Sequence, residues 1–241
     1  MRTLSAQDLT AALPIIEGTA MRNVCLEYTP AWTGVSVPAW TDMAVDSHGL
    51  NDSQRQDLAD VLPYLACGEA SAVHAFSGRL SQQLPLAARA ILSAIAQDEM
   101  GHALWIEALQ KTLPPPQRPP QAARLLMFFR RLESAQPAEH LAHVAALDRA
   151  VCQLLHPMLR RGGVISQAPD LHRALCALRQ DEARHVRMSR AMAQQLGMSA
   201  GRQALLNQSI GARLLSLLQP VRPALARLSL GHRAASWREA A

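Results

Sequence analysis

A nine-residue pattern occurs twice in this sequence and constrains the fold more than any other feature. It reads Ala94-x-x-Gln97-Asp98-Glu99-x-x-His102 and, 83 residues later, Ala177-x-x-Gln180-Asp181-Glu182-x-x-His185. With nine Glu and nine His in 241 residues, chance would give roughly 0.3 Glu-x-x-His pairs. Residues three apart share one face of an α-helix, so each copy directs a carboxylate and an imidazole the same way. The repeat predicts two helices that each carry a metal-chelating pair.

Both pairs lie on otherwise apolar helical stripes. Glu99 and His102 are flanked at helical spacing by Ile95 and Ile106, and Glu182 and His185 are flanked in the same way by Leu178 and Met192. These polar groups are therefore expected to face the core, where burying them without partners would be unfavourable. A bound cation would neutralise the carboxylates and occupy the imidazole nitrogens.

The rest of the chain is expected to be all-α. Aromatic residues make up only 4% of the sequence, β-branched runs are scarce, and apolar residues recur at helical spacing. The periodicity predicts four long helices at about 54–82, 85–112, 137–161 and 170–196, with Pro63 kinking or splitting the first and Asp170 capping the fourth. A short helix is expected at 122–133 in a proline-rich crossover, and two more at 202–219 and 222–230. Two helix pairs joined by a long crossover form a known four-helix-bundle connectivity.

We expect one domain over residues 1–241. Within it, residues 1–53 would form an N-terminal extension of loop and short helix, 54–196 the bundle, and 197–241 a pair of basic C-terminal helices. The last part is basic because Ala200–Ala241 holds six Arg against one acid, which accounts for the net charge of +5. Such a segment could bind an acidic carrier protein, whereas the lack of interleaved aromatic residues argues against nucleic acid.

Glu69 is the candidate ligand on the first helix. With the turn near residues 83–85, Glu69 lies about 14 residues before it and Glu99 about 14 after it, so antiparallel packing places them at one height. The same argument favours Asp148 on the third helix, because it lies about 14 residues before the turn at 162–169. Glu139 lies about 13 Å too far along the helix. Asp148 is therefore favoured, and Glu139 or His143 is the alternative.

Three further residues are predicted to support the ligands. Asp98 and Asp181 point about 100° away from the neighbouring glutamates, and each could accept a hydrogen bond from a ligand histidine on another helix. Arg184 could pair with either aspartate or reach solvent. The other histidines lack partner spacing, so we expect them at the surface or hydrogen-bonded, and this set includes His140 and His172. The four cysteines show no CxxC pairing and are expected to be reduced.

At these residues the sequence resembles the ferritin-like non-heme diiron oxygenases. Their pattern is a carboxylate, some thirty residues and then Asp-Glu-x-x-His, twice over. The second copy here, Asp181-Glu182-Ala183-Arg184-His185, is similar to the form in bacterial multicomponent monooxygenases and in the aminobenzoate N-oxygenase family. The resemblance covers about residues 55–195. The sequence departs at three positions, since Gly101 replaces an arginine, Asp148 a glutamate and Leu178 an additional histidine ligand.

The resemblance implies a ferritin-like four-helix bundle in which two irons activate O2. The predicted ligands are the six side chains Glu69, Glu99, His102, Asp148, Glu182 and His185. The expected reaction is hydroxylation, N-oxygenation or desaturation of a small or carrier-bound organic substrate, in the manner of secondary metabolism. Manganese could replace one iron, and a ferredoxin or reductase would supply electrons. The alternative is a metal-handling protein for ferroxidation, storage or sensing.

The expected location is the cytoplasm. No stretch reaches 18 uninterrupted apolar residues, and the first twenty residues lack the pattern of a signal peptide. We therefore expect a soluble protein that acts away from membranes, and a homodimer is compatible with the sequence.

Overall fold

Helices account for all regular secondary structure in the computed structural model, which describes residues 40–77, 84 and 86–229. No β-strand occurs in these ranges, so the all-α class is confirmed. Three short 3-10 helices, at Trp40–Asp42, Ile165–Gln167 and Gln219–Val221, accompany the α-helices. In chain order the α-helices are α1 Asp52–Ser77, α2 Leu86–Gln110, α3 Ala122–Arg130, α4 Pro137–Met158, α5 Pro169–Gln195, α6 Ala200–Leu217 and α7 Arg222–Ser229.

Proline has different effects at the helix starts and inside α1. Pro137 and Pro169 are the first residues of α4 and α5, where the missing N–H has no intrahelical partner to lose. The predicted cap at Asp170 is wrong, because Pro169 starts the helix one residue earlier and Ala168 occupies the cap position. Asp170 instead lies in the first turn and pairs with Arg173 at 3.1 Å.

Pro63 lies inside α1, and the helix is not split there. An interior proline costs a helix about 3 kcal/mol, because it removes one hydrogen bond and crowds the preceding turn. Leu58 and Leu62 before it and Phe76 after it are at most 1% exposed. Burying each such side chain stabilises by about 1.5–3 kcal/mol, which together exceeds the cost of the proline.

The four long helices form two antiparallel pairs. Arg55 near the start of α1 donates to the carbonyl oxygen of Thr112, just after α2, at 2.7 Å. In the second pair, His172 near the start of α5 lies 3.1 Å from the carbonyl oxygen of Leu159, just after α4. Because early residues of one helix meet late residues of its partner, the middles of the two helices in each pair come to similar heights.

The crossover and the C-terminal helices are held to this framework by polar contacts. The Asp60 carboxylate on α1 accepts backbone N–H groups of Gln117 and Arg118, at 2.6 and 3.2 Å. Arg227 on α7 binds the carboxylate of Asp57 through two nitrogens, at 2.6 and 2.8 Å. The crossover after α2 and the helix α7 thus contact α1. Helix α6 packs mainly on α4.

Candidate metal centre

Six acidic and imidazole side chains meet at the middle of the four long helices, and none is more than 3% exposed. They are Glu69 from α1, Glu99 and His102 from α2, Asp148 from α4, and Glu182 and His185 from α5. These are the six residues that the sequence singled out. Their apolar flanks explain the placement, since Ile95 and Ile106 on α2 and Leu178 and Met192 on α5 are fully buried.

The six side chains form two overlapping sets. Within each set, one ligand atom from every residue lies within 4.8 Å of the others. The first set is Glu69, Glu99, His102 and Glu182, and the second is Glu99, Asp148, Glu182 and His185. Two carboxylates, Glu99 and Glu182, belong to both. Carboxylate oxygens and imidazole nitrogens are metal ligands, so these buried groups could hold a metal ion.

Of the three α4 candidates, only Asp148 reaches this centre. Glu139 lies in the first turn of α4, where it accepts hydrogen bonds from Ser134 at 3.0 Å and Arg202 at 3.3 Å. Nδ1 of His143 lies 2.8 Å from the carbonyl oxygen of Leu132. Asp148, the residue favoured by its height along the helix, is thus the α4 residue among the ligand candidates.

Each imidazole presents Nδ1 to the centre and is held from behind through Nε2. Nδ1 of His102 lies 3.1 Å from Glu69, and Nε2 lies 3.2 Å from Asp181. Nδ1 of His185 lies 2.9 Å from Glu99, and Nε2 lies 3.3 Å from Asp98. The support is reciprocal, because the aspartate of each sequence repeat holds the histidine of the other. This fixes the ring orientation and leaves the inner nitrogens available to a cation.

Arg184 joins the two supporting aspartates. Its guanidinium lies 3.2 Å from Asp98 and 2.5 Å from Asp181, and its side chain is only 12% exposed. Arg184 thus pairs with both aspartates and does not extend into solvent. Although burial opposes it, the hydrogen bond from His102 and the charge of Arg184 lower the pKa of Asp181, which keeps this acceptor ionised.

Without a cation, the centre retains protons. Burial, followed by repulsion from Glu182 and Glu99, raises the pKa values of Glu69 and Asp148 well above their usual range. Burial disfavours the charged imidazolium of His185, but hydrogen bonds to Asp98 and Glu99 outweigh it and raise its pKa to about 10. Protons therefore offset charge that a metal ion would otherwise neutralise.

The buried carboxylate of Asp148 supports a cation site. Its Oδ2 makes no hydrogen bond within the described part of the chain, although the residue is only 3% exposed. A buried carboxylate oxygen without a donor is unfavourable by about 1–3 kcal/mol or more, and a metal ion would remove that penalty. The chemistry of the donor set, four carboxylates and two imidazoles, is therefore compatible with a bound metal ion.

Trp40 covers the outer side of His102, and the sequence did not identify this role. The two rings lie edge to face with centroids 4.5 Å apart, and Trp105 packs 5.8 Å from Trp40. A Cβ added to Gly101 would lie 2.7 Å from Trp40 Cδ1, so only glycine fits beneath the indole. Gly101 was the available signal, because a glycine next to His102 leaves space there for another side chain.

A cleft of about 670 Å³ is lined by residues of α1, α3 and α4 and of the segment between α3 and α4, and none of the six ligand candidates lines it. Its lining includes Ala72, one turn beyond Glu69, and Val144, one turn before Asp148. His140 lines the cleft and is only 6% exposed. Its Nε2 lies 3.0 Å from the carbonyl oxygen of Ala75, which agrees with the expectation of a surface or hydrogen-bonded histidine. A space of this size fits a small organic molecule.

Three of the four cysteines lie in the described part of the chain. Cys67, Cys152 and Cys176 are free thiols, and Cys25 lies outside the described residues. No helix in the described ranges is both long enough and apolar enough to cross a membrane.

Comparisons with protein-family models, with curated proteins and with solved structures found no match to this chain.

Proposed function

We propose that this protein is a non-heme diiron oxidoreductase that uses O2 to oxidise an organic substrate. The observation that carries the proposal is the pair of overlapping ligand sets that share Glu99 and Glu182. Glu99 and Glu182 would therefore help to hold both ions of a two-metal site. Each ion would also have one carboxylate and one imidazole of its own.

The helix arrangement supports a ferritin-like four-helix bundle. In that fold, two helices each give one carboxylate and the other two each give a Glu-x-x-His pair. Here α1 and α4 carry the single carboxylates, α2 and α5 carry the pairs, and a long crossover with α3 joins the two halves. We infer that residues 54–196 form this bundle, with 1–53 and 197–241 as extensions.

The surrounding residues would bind, orient and isolate the metals. When bound, two irons would supply the site and redox chemistry for reducing O2 with electrons from a ferredoxin or reductase. Asp98 and Asp181 hold both imidazoles with Nδ1 inward, and Arg184 fixes the two aspartates. Trp40 excludes water from the outer side of His102. These contacts preorganise the ligands before a metal arrives.

Oxygenation is favoured over storage or sensing of metal by the cleft between α1, α3 and α4. Its volume of about 670 Å³ suits an organic ligand, and its lining residues Ala72 and Val144 lie one helical turn from Glu69 and Asp148. A protein that only oxidises or stores iron needs no such space beside its ligands. Hydroxylation, N-oxygenation and desaturation all fit the proposal, and manganese at one site would use the same ligands.

The test is anaerobic loading with Fe(II), followed by measured addition of O2. The proposal expects about two irons per chain and an O2-dependent change in the visible absorbance. The matched control is Glu107→Gln, on the exposed part of α2, which should behave as the parent protein. Fewer than about two irons, or no response to O2, would contradict the proposal. Iron oxidation in a cage-sized assembly, without turnover of any organic compound, would instead identify a metal-handling protein.

The proposal includes a substrate that is bound to an acidic carrier protein. The structure indicates which C-terminal arginines are suitable for testing it. Arg202 and Arg227 form ion pairs with carboxylates of α4 and α1, so their charges already have partners within the fold. Arg213 lies 6.0 Å from the ring centre of Phe128, and Arg222 is exposed. Replacing Arg213 and Arg222 by Glu should reduce turnover of a carrier-tethered substrate but not of the free compound. Equal loss on both would contradict docking of an acidic carrier.

A further inference from the structure

A second, smaller cavity lies beside the cleft and shares Phe129 and Leu147 with it. Its lining comes from the stretch of α1 between Leu58 and Gly68, from the stretch of α4 between Leu147 and Met158, and from single residues of α3, α5 and the C-terminal segment. Its volume is about 60 Å³. We call this cavity the leucine pocket, because ten of its 16 lining residues are leucines.

The lining of the leucine pocket offers too few polar groups to hold water. Tyr64 is the only residue with a polar side chain among the described residues that line it. The backbone groups in the middle of α1 and α4 are already paired within their helices. An internal water molecule typically makes about three hydrogen bonds, and apolar cavities that cannot supply them stay dry. We therefore expect an apolar occupant.

The volume of the leucine pocket limits the size of that occupant. About 60 Å³ is close to the space that two water molecules take up in the liquid, at about 30 Å³ each. Pockets for organic ligands are several times larger, about 300–1,000 Å³. An empty apolar space costs its lining residues dispersion contacts, which a small apolar molecule restores. O2 is such a molecule, since it is uncharged, diatomic and transferred favourably from water to apolar surroundings.

The leucine pocket begins at the level of the candidate metal centre. Gly68 and Leu147 line it and are the chain neighbours of Glu69 and Asp148, so its upper end is within about 1.5 Å of the level of these carboxylates along each helix. None of the six ligand candidates lines the pocket. The pocket is therefore a separate binding space beside the centre.

Gly68 keeps this space open. It lies three residues after Leu65 and seven after Val61, on the same face of α1, and all three residues line the pocket. A Cβ added to Gly68 would meet no heavy atom within 4 Å. A larger side chain at position 68 would therefore enter the leucine pocket.

We propose that the leucine pocket binds dioxygen. Binding follows from the apolar lining and the small volume, and it requires no metal. The use of the bound O2 rests on the proposed oxidoreductase function, for which the pocket holds the co-substrate at the level of Glu69 and Asp148.

The first test is methyl NMR of the full-length, metal-free protein under O2 and under N2 at the same pressure. Because O2 is paramagnetic, methyl groups beside bound O2 relax faster. The methyl groups of Leu62 and Leu155, which line the pocket, should show a several-fold larger effect than those of Leu92 and Leu109 on α2. All four leucines are at most 3% exposed, so contact with dissolved O2 in the solvent does not distinguish them. Equal effects on the two pairs would overturn the proposal.

The second test fills the leucine pocket. Gly68→Leu should keep the helical fold and lose the additional relaxation at Leu62 and Leu155, since the new side chain occupies the space of the O2 molecule. Gly201→Leu is the matched control, because Gly201 is exposed on α6 and a Cβ there also meets nothing within 4 Å. An unchanged effect in Gly68→Leu, or its loss in Gly201→Leu, would contradict the assignment.

The NMR result and the iron reaction together separate the two proposals. If O2 binds in the pocket but Fe(II)-loaded protein does not react with it, the leucine pocket stands and the oxidoreductase proposal fails. If Fe(II)-loaded protein reacts with O2 but the NMR experiment shows no bound O2, the reverse holds. If both results are positive, Gly68→Leu should react more slowly than Gly201→Leu at low O2 and equal iron content. Equal rates would contradict the use of the pocket by the metal centre.

Discussion

The two sides of the metal centre are built differently. Between α2 and α5, a polar network of Asp98, Asp181 and Arg184 holds both histidines, and Trp40 closes over His102. Between α1 and α4, the carboxylates of Glu69 and Asp148 lie one helical turn from a cleft, and Asp148 Oδ2 has no hydrogen bond within the described residues. The comparison separates a side whose polar contacts fix both imidazoles from a side on which a buried carboxylate oxygen still lacks a hydrogen-bond donor among the described residues.

The largest expected effect is at the two carboxylates that belong to both ligand sets. Glu99→Gln or Glu182→Gln should lose both metal ions, whereas Glu69→Gln or Asp148→Asn should lose about one, since each of those residues serves a single set. Metal content per chain, measured by mass spectrometry after loading and desalting, checks this. Equal loss in all four variants would contradict shared ligation.

The next effect concerns the supporting network between α2 and α5. Arg184→Gln should weaken metal binding about 10- to 100-fold, because Asp98 and Asp181 lose the cation that holds them behind both histidines. Chelator competition gives the affinity. Arg173→Gln, which removes an exposed arginine of the same helix, is the control and should leave affinity unchanged. Unchanged affinity in Arg184→Gln would show that the network does not support the ligands.

The pH dependence of metal binding should follow the protons held by the centre. Since the pKa of His185 is raised to about 10, its ring is protonated at neutral pH and must release that proton to a metal. Metal affinity should therefore rise about tenfold per pH unit for each proton released between pH 6 and 8. Calorimetry in buffers of different ionisation enthalpy counts these protons. Binding without proton release would contradict the predicted protonation.

The same shift predicts how pH changes stability without metal. A raised pKa of His185 contributes stability that is complete below its unfolded pKa of about 6.5 and is lost as pH rises toward 10. Chelator-treated protein should therefore melt progressively below metal-loaded protein over this range. Parallel melting curves from pH 6.5 to 10 would show that His185 does not hold the proton.

The smallest expected effect is at Gly101, which packs beneath the indole of Trp40. Gly101→Ala should destabilise the fold by about 1–3 kcal/mol, because the new Cβ would lie 2.7 Å from the indole. Gly68→Ala is the matched control on α1, where an added Cβ has nothing within 4 Å, and should be neutral or stabilising by up to about 1 kcal/mol. Denaturant unfolding measures both. Similar changes in the free energy of unfolding for the two variants would contradict tight packing of Trp40 on Gly101.

The repeat and the helical heights predicted the residues at the centre because both are local consequences of helix geometry. Glu69 and Asp148 followed from counting residues to the turns, and Asp98 and Asp181 from the 100° step around a helix. Trp40 could not be placed in this way, since it precedes the long helices and no periodicity relates it to α2. The burial of His140 could not be predicted either, because it depends on how α3 and the segment around it pack on α4.

The most direct test of the account is an anomalous diffraction experiment at the iron edge on crystals grown with Fe(II) under anaerobic conditions. The account predicts two peaks about 3.5–4 Å apart between Glu99 and Glu182, with the Nδ1 atoms of His102 and His185 directed at one peak each. A single peak, peaks only at the protein surface, or no anomalous density among these side chains would contradict it.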